Sequence, residues 1–244
     1  MSDNRGMSIW VTILGGAAGL AIGGPIGGLI GALAGHAIDH YRDGQDEHLR
    51  QNVAFSVALV ALSAKMAKSD GKVTLDEVLA FREKVDIADQ DITHVGHLWD
   101  LARQTPAGYE GYARQLRQLF GPKAVVFDHL MALLFHIANA DGQITDKEQE
   151  YLYHVAMELG YDEKAFRRFE MLYQHDSDNP YHILNISPDA DETMIRQAWL
   201  KLVRQHHPDQ LQAAGLPKEF IRSATEKVAT INAAYERIKT MPKG

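Results

Sequence analysis

An uncharged stretch of 33 residues, from 6 to 38, sets the first limit on how this 244-residue chain can fold. At roughly 1.5 Å per residue, a helix of that length exceeds the ~30 Å hydrocarbon core of a bilayer. The apolar side chains among its glycines argue against a flexible linker. The stretch is also longer than the apolar core of a signal peptide, despite an Ala-x-Ala pattern at 32–34. The sequence therefore predicts one glycine-rich transmembrane helix over 9–38, after a short tail over 1–8.

Glycine recurs at every fourth position through this predicted helix. The series is Gly15, Gly19, Gly23, Gly27, Gly31 and Gly35. Small residues four apart let two membrane helices approach closely, so that van der Waals contact stabilises their association. A row at that spacing drifts around a straight helix by about 40° per step, so all six cannot share one contact. We expect the middle three, Gly19, Gly23 and Gly27, to form the interface of a homodimer.

Residues 47–174 are predicted to be helical throughout, and they contain an internal repeat at an offset of 71 residues. Residues 67–74 align with 138–145, and each copy contains an Asp-Gly turn. A Thr-x-x-Glu capping box, which starts a helix, follows each turn at 74–77 and 145–148. The repeat therefore predicts two pseudo-symmetric helical hairpins.

The acidic residues of the two turns leave a second interpretation open. Asp70 and Asp141 offer hard oxygen ligands that suit a divalent cation. The alternate-position spacing of an EF-hand is missing, however, and glycine-terminated helices followed by capping boxes explain both aspartates structurally. His94 and His97 have helical spacing but lack the further ligands that a zinc site needs. Because the chain has no cysteine, it contains neither a disulfide nor a thiolate zinc site.

A basic amphipathic segment over 192–205 and a second helical segment over 217–239 flank the tripeptide His207-Pro208-Asp209. Proline disfavours helical geometry in the residue before it and lacks a backbone donor, so the first helix must end before Pro208. We expect His207 and Asp209 to lie on an exposed turn. As a catalytic pair, with His207 as general base, they would have no nucleophile nearby. In an ordinary turn, Asp209 would only bond its own backbone.

In this setting the tripeptide resembles the signature of a J domain, the module that stimulates ATP hydrolysis by DnaK-type chaperones. Residues 179–186 resemble the opening of the J domain's first helix, and residues 231–236 match its third-helix pattern. The resemblance implies that two sets of residues bind the DnaK-type ATPase. They are the tripeptide, His207, Pro208 and Asp209, and the basic residues of the second helix, Arg196, Lys201 and Arg204. Three bases are few for this family, so we expect a weaker or more salt-sensitive encounter.

Residues 206–219 resemble the corresponding part of the DjlA family, the membrane-anchored DnaJ-like co-chaperones of Gram-negative bacteria. The middle region resembles the TerB tellurite-resistance family, whose acidic residues suggest cation binding. A membrane segment, a TerB-like domain and a J domain, in that order, would account for the whole chain. The implied fold is all-α, with a transmembrane helix over 9–38, a TerB-like helical bundle over 47–174, a linker over 175–179 and a J-domain helical hairpin over 180–244.

These resemblances imply a membrane-anchored co-chaperone rather than an enzyme. Its short N-terminus would lie in the periplasm, and its body would lie on the cytoplasmic side of the inner membrane, where DnaK-type chaperones and ATP are found. A net charge of −7 argues against nucleic-acid binding. No cofactor is expected beyond a divalent cation in the TerB-like domain. The alternative function is a stress-response adaptor or metal-sensing protein that acts through the TerB-like domain.

Overall fold

Helices account for all the regular secondary structure in the residues that the computed structural model describes. These residues are 9–14, 24–34, 47–69, 74–104, 108–122, 124–175 and 179–241. The α-helices within them are α1 (Ile9–Leu14), α2 (Gly24–Ala34), α3 (Glu47–Met66), α4 (Leu75–Lys84), α5 (Ile92–Ala102), α6 (Tyr109–Phe120), α7 (Val126–Ala138), α8 (Asp146–Glu158), α9 (Glu163–Glu170), α10 (Pro180–Leu184), α11 (Glu192–His206), α12 (Pro208–Ala213) and α13 (Ile221–Thr240). The other elements are two 3-10 helices, Asp89–Asp91 and Lys218–Phe220, and a π-helical turn that continues α9, Met171–His175. The prediction of an all-α fold is confirmed over this part of the chain.

Helices α3 to α9 form the TerB-like region, which we call the body, and α3 lies at its centre. Every side chain from Val53 to Ala67 is buried, and most of them are apolar, as expected of a helix that others enclose. Helices α5 and α6 make its most extensive contacts, and α7, α1 and α2 also pack against it. Near its C-terminal end, the Tyr151 hydroxyl on α8 donates a 2.8 Å hydrogen bond to the Leu62 carbonyl oxygen. The body is therefore built around this one helix.

Both predicted capping boxes are present, and they start α4 and α8. In the first, the Thr74 amide donates to the Glu77 carboxylate at 2.7 Å, and Thr74 Oγ1 accepts the Glu77 amide at 3.2 Å. Thr145 and Glu148 repeat the arrangement at 2.8 Å and 3.3 Å. Both glutamates are buried, so their carboxylates are committed to the helix termini. This part of the repeat prediction is confirmed.

The two repeat copies do not pack as two separate hairpins. Helix α4 packs mainly on α7, which belongs to the other copy, and α8 packs on α6 and α7. Phe81 of α4 also meets Trp99 of α5 edge to face, with ring centroids 5.1 Å apart. Because α3 is already enclosed by other helices, α4 finds its apolar contacts elsewhere. The prediction of a packed hairpin therefore holds for the second copy, in which α8 packs on α7, but not for the first, in which α4 packs on α7 instead of α3.

The described residues of the predicted 9–38 helix form α1 and α2, which pack on the body. Helix α1 contacts α3 and α5, and α2 contacts α3, α5 and α6. Their buried side chains are Ile9, Trp10, Ile13, Ile26 and Leu29. None of the helices that the structure describes combines the length and the apolar character that a membrane crossing requires. Gly27 is half-buried on α2, whereas Gly19 and Gly23 lie outside the described residues.

The C-terminal domain has a small core of its own between α10, α11 and α13. Its buried residues are Leu184, Ile231, Ala234 and Ile238. Ile195, Trp199 and Leu202 on α11 pack against them. Trp199 stacks on Tyr235 with ring centroids 4.4 Å apart, and its Nε1 donates a 2.8 Å hydrogen bond to an oxygen of Asn232. These contacts hold the three helices together as a unit.

The segment between α11 and α13 packs its apolar side chains on the body rather than on the core of its own domain. Three of its apolar residues, Leu211, Leu216 and Phe220, belong to the same core as α3, as does Ala224 in the first turn of α13. Phe220 meets Phe55 of α3 edge to face at 5.5 Å. The Asp86 amide donates a 3.1 Å hydrogen bond to the Glu219 carbonyl oxygen. This segment therefore docks the C-terminal domain on the body.

Replacing Gly215 by alanine should weaken this docking. Gly215 has a φ of +93°, and an added Cβ would lie 2.8 Å from the Phe120 ring and 3.1 Å from the Gln51 side chain. Gly142 is a matched control, because its φ is +86° and nothing lies within 4 Å of an added Cβ. Both substitutions incur the roughly 1–2 kcal/mol cost of a left-handed residue, and overpacking adds about 1–3 kcal/mol at Gly215 alone. Urea denaturation measures the difference in the free energy of unfolding, and equal losses would show that the segment is not clamped on the body.

Candidate functional site

The tripeptide His207-Pro208-Asp209 joins two helices. Helix α11 ends at His206, and a ψ of 132° at His207 turns the chain away from the helix axis, as the following proline favours. Helix α12 then begins with Pro208 in its first turn, where a missing amide costs little. His207 is its N-cap, because His207 Nδ1 accepts the Asp209 amide at 3.2 Å. The sequence pattern missed α12, and it placed the start of α13 near 217 instead of Ile221.

His207 and Asp209 both face solvent. The exposed fraction is 50% for the His207 side chain and 85% for that of Asp209. The Asp209 carboxylate lies 3.8 Å from His207 Nδ1, which is beyond hydrogen-bond range, and that nitrogen already accepts the Asp209 amide. The carboxylate therefore does not orient the ring, as a general-base pair would require. This geometry favours a surface for a partner over a catalytic site.

Three basic residues extend this surface along α11. Arg196, Lys201 and Arg204 are exposed, and at about 100° per residue they span an arc of roughly 140° of the helix. Within the part of the chain that the structure describes, none of the three forms an ion pair or a side-chain hydrogen bond. Ile195 and Leu202 face the other way and pack on the domain core. The three charges are therefore available to an acidic partner.

Directly before the exposed His207, His206 is buried against the body. Its Nδ1 lies 3.2 Å from Nε2 of His129 on α7, and the two rings meet edge to face at 5.3 Å. Burial lowers the pKa of His206 to about 4 and that of His129 to about 3, and the positive charge of Lys227 also lowers both. Both rings are therefore neutral at neutral pH, so that one donates the hydrogen bond that the other accepts. Adjacent histidines thus have opposite positions, one on the body and one in solvent.

Polar and charged groups surround this histidine pair. Asp128 Oδ2 lies 3.9 Å from His206 Nε2, and Asp128 Oδ1 accepts a 2.6 Å hydrogen bond from the Tyr161 hydroxyl. Burial raises the pKa of Asp128, against the opposing effects of that hydrogen bond and of the cations Lys227 and Arg168. A cavity of about 390 Å³ between the body and α10 borders the same groups. The junction is therefore polar on this side and apolar where Phe220 enters the body.

The acidic turn residues do not gather into a metal site. Across the described ranges, no three His, Asp or Glu side chains are grouped so that they could hold a metal ion. Asp141 is exposed, and its Oδ1 accepts the Gln143 amide at 3.1 Å within the turn. Asp70 lies outside the described residues. His94 and His97 are both exposed on α5. A structural role in the turn therefore accounts for the carboxylate of Asp141.

Curated proteins named Co-chaperone protein DjlA resemble the chain over most of its length. That of Aliivibrio fischeri is 28% identical over 233 residues, which cover 82% of each chain. That of Haemophilus ducreyi is 25% identical over 232 residues, which cover 79% of this chain and 80% of the relative. Identity to the protein of Shewanella oneidensis is 35% over 116 residues, which cover 42% of this chain and 44% of the relative. No solved structure was found to match the chain.

Three family models match consecutive parts of the chain. The Co-chaperone DjlA transmembrane domain matches residues 7–54, Tellurite resistance protein TerB matches 56–171, and the DnaJ domain matches 179–243. The chain is a DjlA-like J-domain co-chaperone. A J-domain co-chaperone of this family is membrane-anchored and has a DnaK-type chaperone as its partner. The family resemblance seen in the sequence is thereby confirmed, and so is its order of three domains.

Sequence patterns missed the residues that fix the J domain to the TerB-like body. Leu216 and Phe220 are a weak indication of this contact in the sequence, because large apolar side chains are unusual in a solvent-exposed connection between two helices. The contact between His129 and His206 has no such indication, since the two residues are 77 positions apart. Local patterns identify the exposed tripeptide, whereas the docking behind it depends on contacts between distant parts of the chain.

The histidine pair predicts that acid weakens the contact between the J domain and the body. An unfolded chain binds a proton on each histidine as the pH falls through about 6.5. The folded chain excludes these protons until about pH 4 at His206 and about pH 3 at His129. The free energy of unfolding should therefore fall between pH 7 and 5, by about 2 kcal/mol per histidine. The raised pKa of Asp128 acts in the opposite direction, because the folded chain gains that proton first.

Urea denaturation at neutral and at acidic pH measures this dependence. Replacing both His129 and His206 by leucine should flatten it, even where the variant is less stable at every pH. A double variant with glutamine at His94 and His97, which are exposed on α5, should keep the dependence of the unaltered chain. An equally steep dependence in the leucine variant would show that the buried pair is not its source.

Proposed function

We propose that the chain recruits a DnaK-type chaperone to the cytoplasmic face of the inner membrane and stimulates its ATP hydrolysis. The observation that supports this most directly is the position of the tripeptide. His207 and Asp209 are exposed at the start of α12, while Leu211 and Leu216 directly after them are held in the core of the body. The tripeptide is thus presented on a fixed support, so the partner does not have to order it on binding. The chain performs no chemistry of its own, and hydrolysis takes place in the partner.

The basic face of α11 has a separate role in the encounter. Arg196, Lys201 and Arg204 are exposed beside the tripeptide, whereas the chain as a whole carries a net charge of −7. A local positive surface on an acidic protein orients an acidic partner toward that surface as it approaches. Charge of this kind raises the association rate more than the final affinity, and salt screens it.

The proposed topology places residues 1–8 in the periplasm and the body in the cytoplasm. Arg5 precedes the membrane segment, whereas Arg42 and Arg50 follow it, a small excess of basic residues on the cytoplasmic side. Two chains that associate through Gly19, Gly23 and Gly27 would bring two J domains together at the membrane. Anchoring and pairing both raise the local concentration of the tripeptide for the chaperone.

Steady-state ATP hydrolysis by the DnaK-type chaperone, with the full chain in lipid vesicles, tests the assignment. His207→Asn should lower the stimulation by about tenfold or more, which corresponds to the loss of roughly 1.4 kcal/mol of interaction. Asparagine keeps an acceptor at the N-cap of α12, so the free energy of unfolding should change by less than about 0.5 kcal/mol. His94→Asn, at an exposed position on α5, is the control and should stimulate fully. Full stimulation by a folded His207→Asn chain would overturn the assignment.

A second experiment tests the basic face by its dependence on salt. The double variant Lys201→Gln/Arg204→Gln should slow association with the chaperone by about three- to tenfold at low ionic strength, and by less in high salt. Lys147→Gln/Lys164→Gln removes the same charge from exposed positions on α8 and α9 and should leave the rate unchanged. Stopped-flow fluorescence gives the association rate for each variant. If the two double variants behave alike, the basic residues of α11 do not steer the encounter.

A further inference from the structure

Helices α1 and α2 pack on the body through apolar side chains. Helix α1 lies on α3 and α5, and α2 lies on α3, α5 and α6. Five of their apolar side chains are buried in the same core as α3: Ile9, Trp10, Ile13, Ile26 and Leu29. We call the face of α3, α5 and α6 that they cover the receiving face. Every side chain of its central helix, α3, is buried from Val53 to Met66, and most of them are apolar. The receiving face is therefore part of the core only while something covers it.

Side chains at the receiving face and next to it accept hydrogen bonds from backbone amides at the start of both helices. The Ile26 amide in the first turn of α2 donates a 3.1 Å hydrogen bond to Oε1 of Gln115 on α6. The Ile9 amide, at the first residue of α1, donates a 3.1 Å hydrogen bond to Oε1 of the buried Glu219. The first amides of a helix have no partner within the helix. Gln115 on the receiving face and Glu219 in the adjoining 3-10 helix therefore offer one acceptor to the N-terminal end of each of these helices.

Helix α2 also comes very close to α6 on the receiving face. Gly111 on α6 lies against Pro25, and a Cβ added at Gly111 would come within 2.8 Å of the proline ring. A glycine at this position lets the backbone of α2 come nearer than any side chain would allow. Small residues serve the same purpose where helices pack within membranes. The receiving face thus has the features of a surface that accepts an apolar helix.

Helices α1 and α2 cannot pack on the body and cross a bilayer at the same time. Residues 7–54 match the DjlA transmembrane domain, and a helical crossing takes about 20 consecutive apolar residues. Helices α1 and α2 have 6 and 11 residues while they lie on the body. When residues 9–34 enter the membrane, Ile26 and Trp10 leave the core, and the receiving face is uncovered.

We propose that the receiving face binds apolar helices. The chain's own helices α1 and α2 occupy it in this structure. With that segment in the bilayer, an apolar helix rich in small residues, presented by a membrane-protein client, takes its place. The proposal rests on the function proposed above, since a client held there lies on the body that carries the J domain. Gln115 and Glu219 then cap the client helix, and Gly111 fixes its closest approach.

Cysteine cross-linking tests the first half of this proposal in the full chain. The sequence has no cysteine, so the variant Pro25→Cys/Gly111→Cys contains one pair of thiols. The Cβ of Pro25 lies 3.8 Å from a Cβ built on Gly111, which is about the usual separation in a disulfide. The bond should form readily in the chain without lipid and about tenfold less in phospholipid vesicles. Equal formation in the two conditions would show that the segment never leaves the body and would overturn the proposal.

A peptide probe tests the second half. The probe is a synthetic peptide of residues 9–34 with cysteine in place of Pro25, and it is added to vesicles that carry the Gly111→Cys chain. A disulfide adduct between peptide and chain, seen on a non-reducing gel, is expected in about tenfold excess over the Arg117→Cys chain. Arg117 is exposed on another side of α6 and serves as the matched control. Equal adducts with both chains, or none, would overturn the proposal.

Two further readouts separate this proposal from its alternatives. A chain-to-chain disulfide in vesicles of the double variant would assign the receiving face to a second copy of the protein instead of a client, and would overturn the inference. Stimulation of the chaperone ATPase is measured on the same vesicles. Its absence beside a clear peptide adduct would overturn the proposed function and leave the receiving face as a helix-binding site.

Discussion

The rest of the arrangement depends on the burial of three side chains between α11 and α13, Leu211, Leu216 and Phe220, in the TerB-like body. The J domain has only a small core of its own among α10, α11 and α13, and a small core supplies little stability. Phe220 against Phe55 extends that core into the body, and Leu211 and Leu216 continue it. Hydrophobic contact therefore fixes the orientation of the J domain, which chain connectivity alone would leave free.

This docking places two opposite requirements on one short helix. Helix α12 carries Asp209 on its outer side and Leu211 on its inner side, and His207 caps it. Because α12 is six residues long, any displacement of Leu211 from the body also moves the tripeptide. The neutral pair of His206 and His129 adds a second attachment at the end of α11. The position in which the chaperone finds the tripeptide therefore depends on how tightly the J domain is docked on the body.

The parts of this fold that sequence predicts are those with local causes. The capping box at Thr145 needs only Glu148 three residues later, and the end of α11 needs only Pro208. The choice of α7 over α3 as the partner of α4 has no local cause, because it depends on which faces other helices have already occupied. For the same reason, the periodicity of the segment predicted over 217–239 indicates that Phe220 is buried, but not that it is buried in the body. The exposed tripeptide was predictable, whereas its support was not.

The N-terminal segment is suited to two environments by the same composition. Each leucine or isoleucine at the centre of a membrane helix contributes about −0.3 to −0.6 kcal/mol to insertion, and nine glycines between 15 and 35 dilute that contribution. A leucine-rich helix would have a much more favourable free energy of insertion and would remain in the bilayer. Small residues also permit close packing, both between membrane helices and against Gly111 of the body. A segment exchanges between two environments when its free energies in the two are comparable. Only such an exchange makes the receiving face available to another helix.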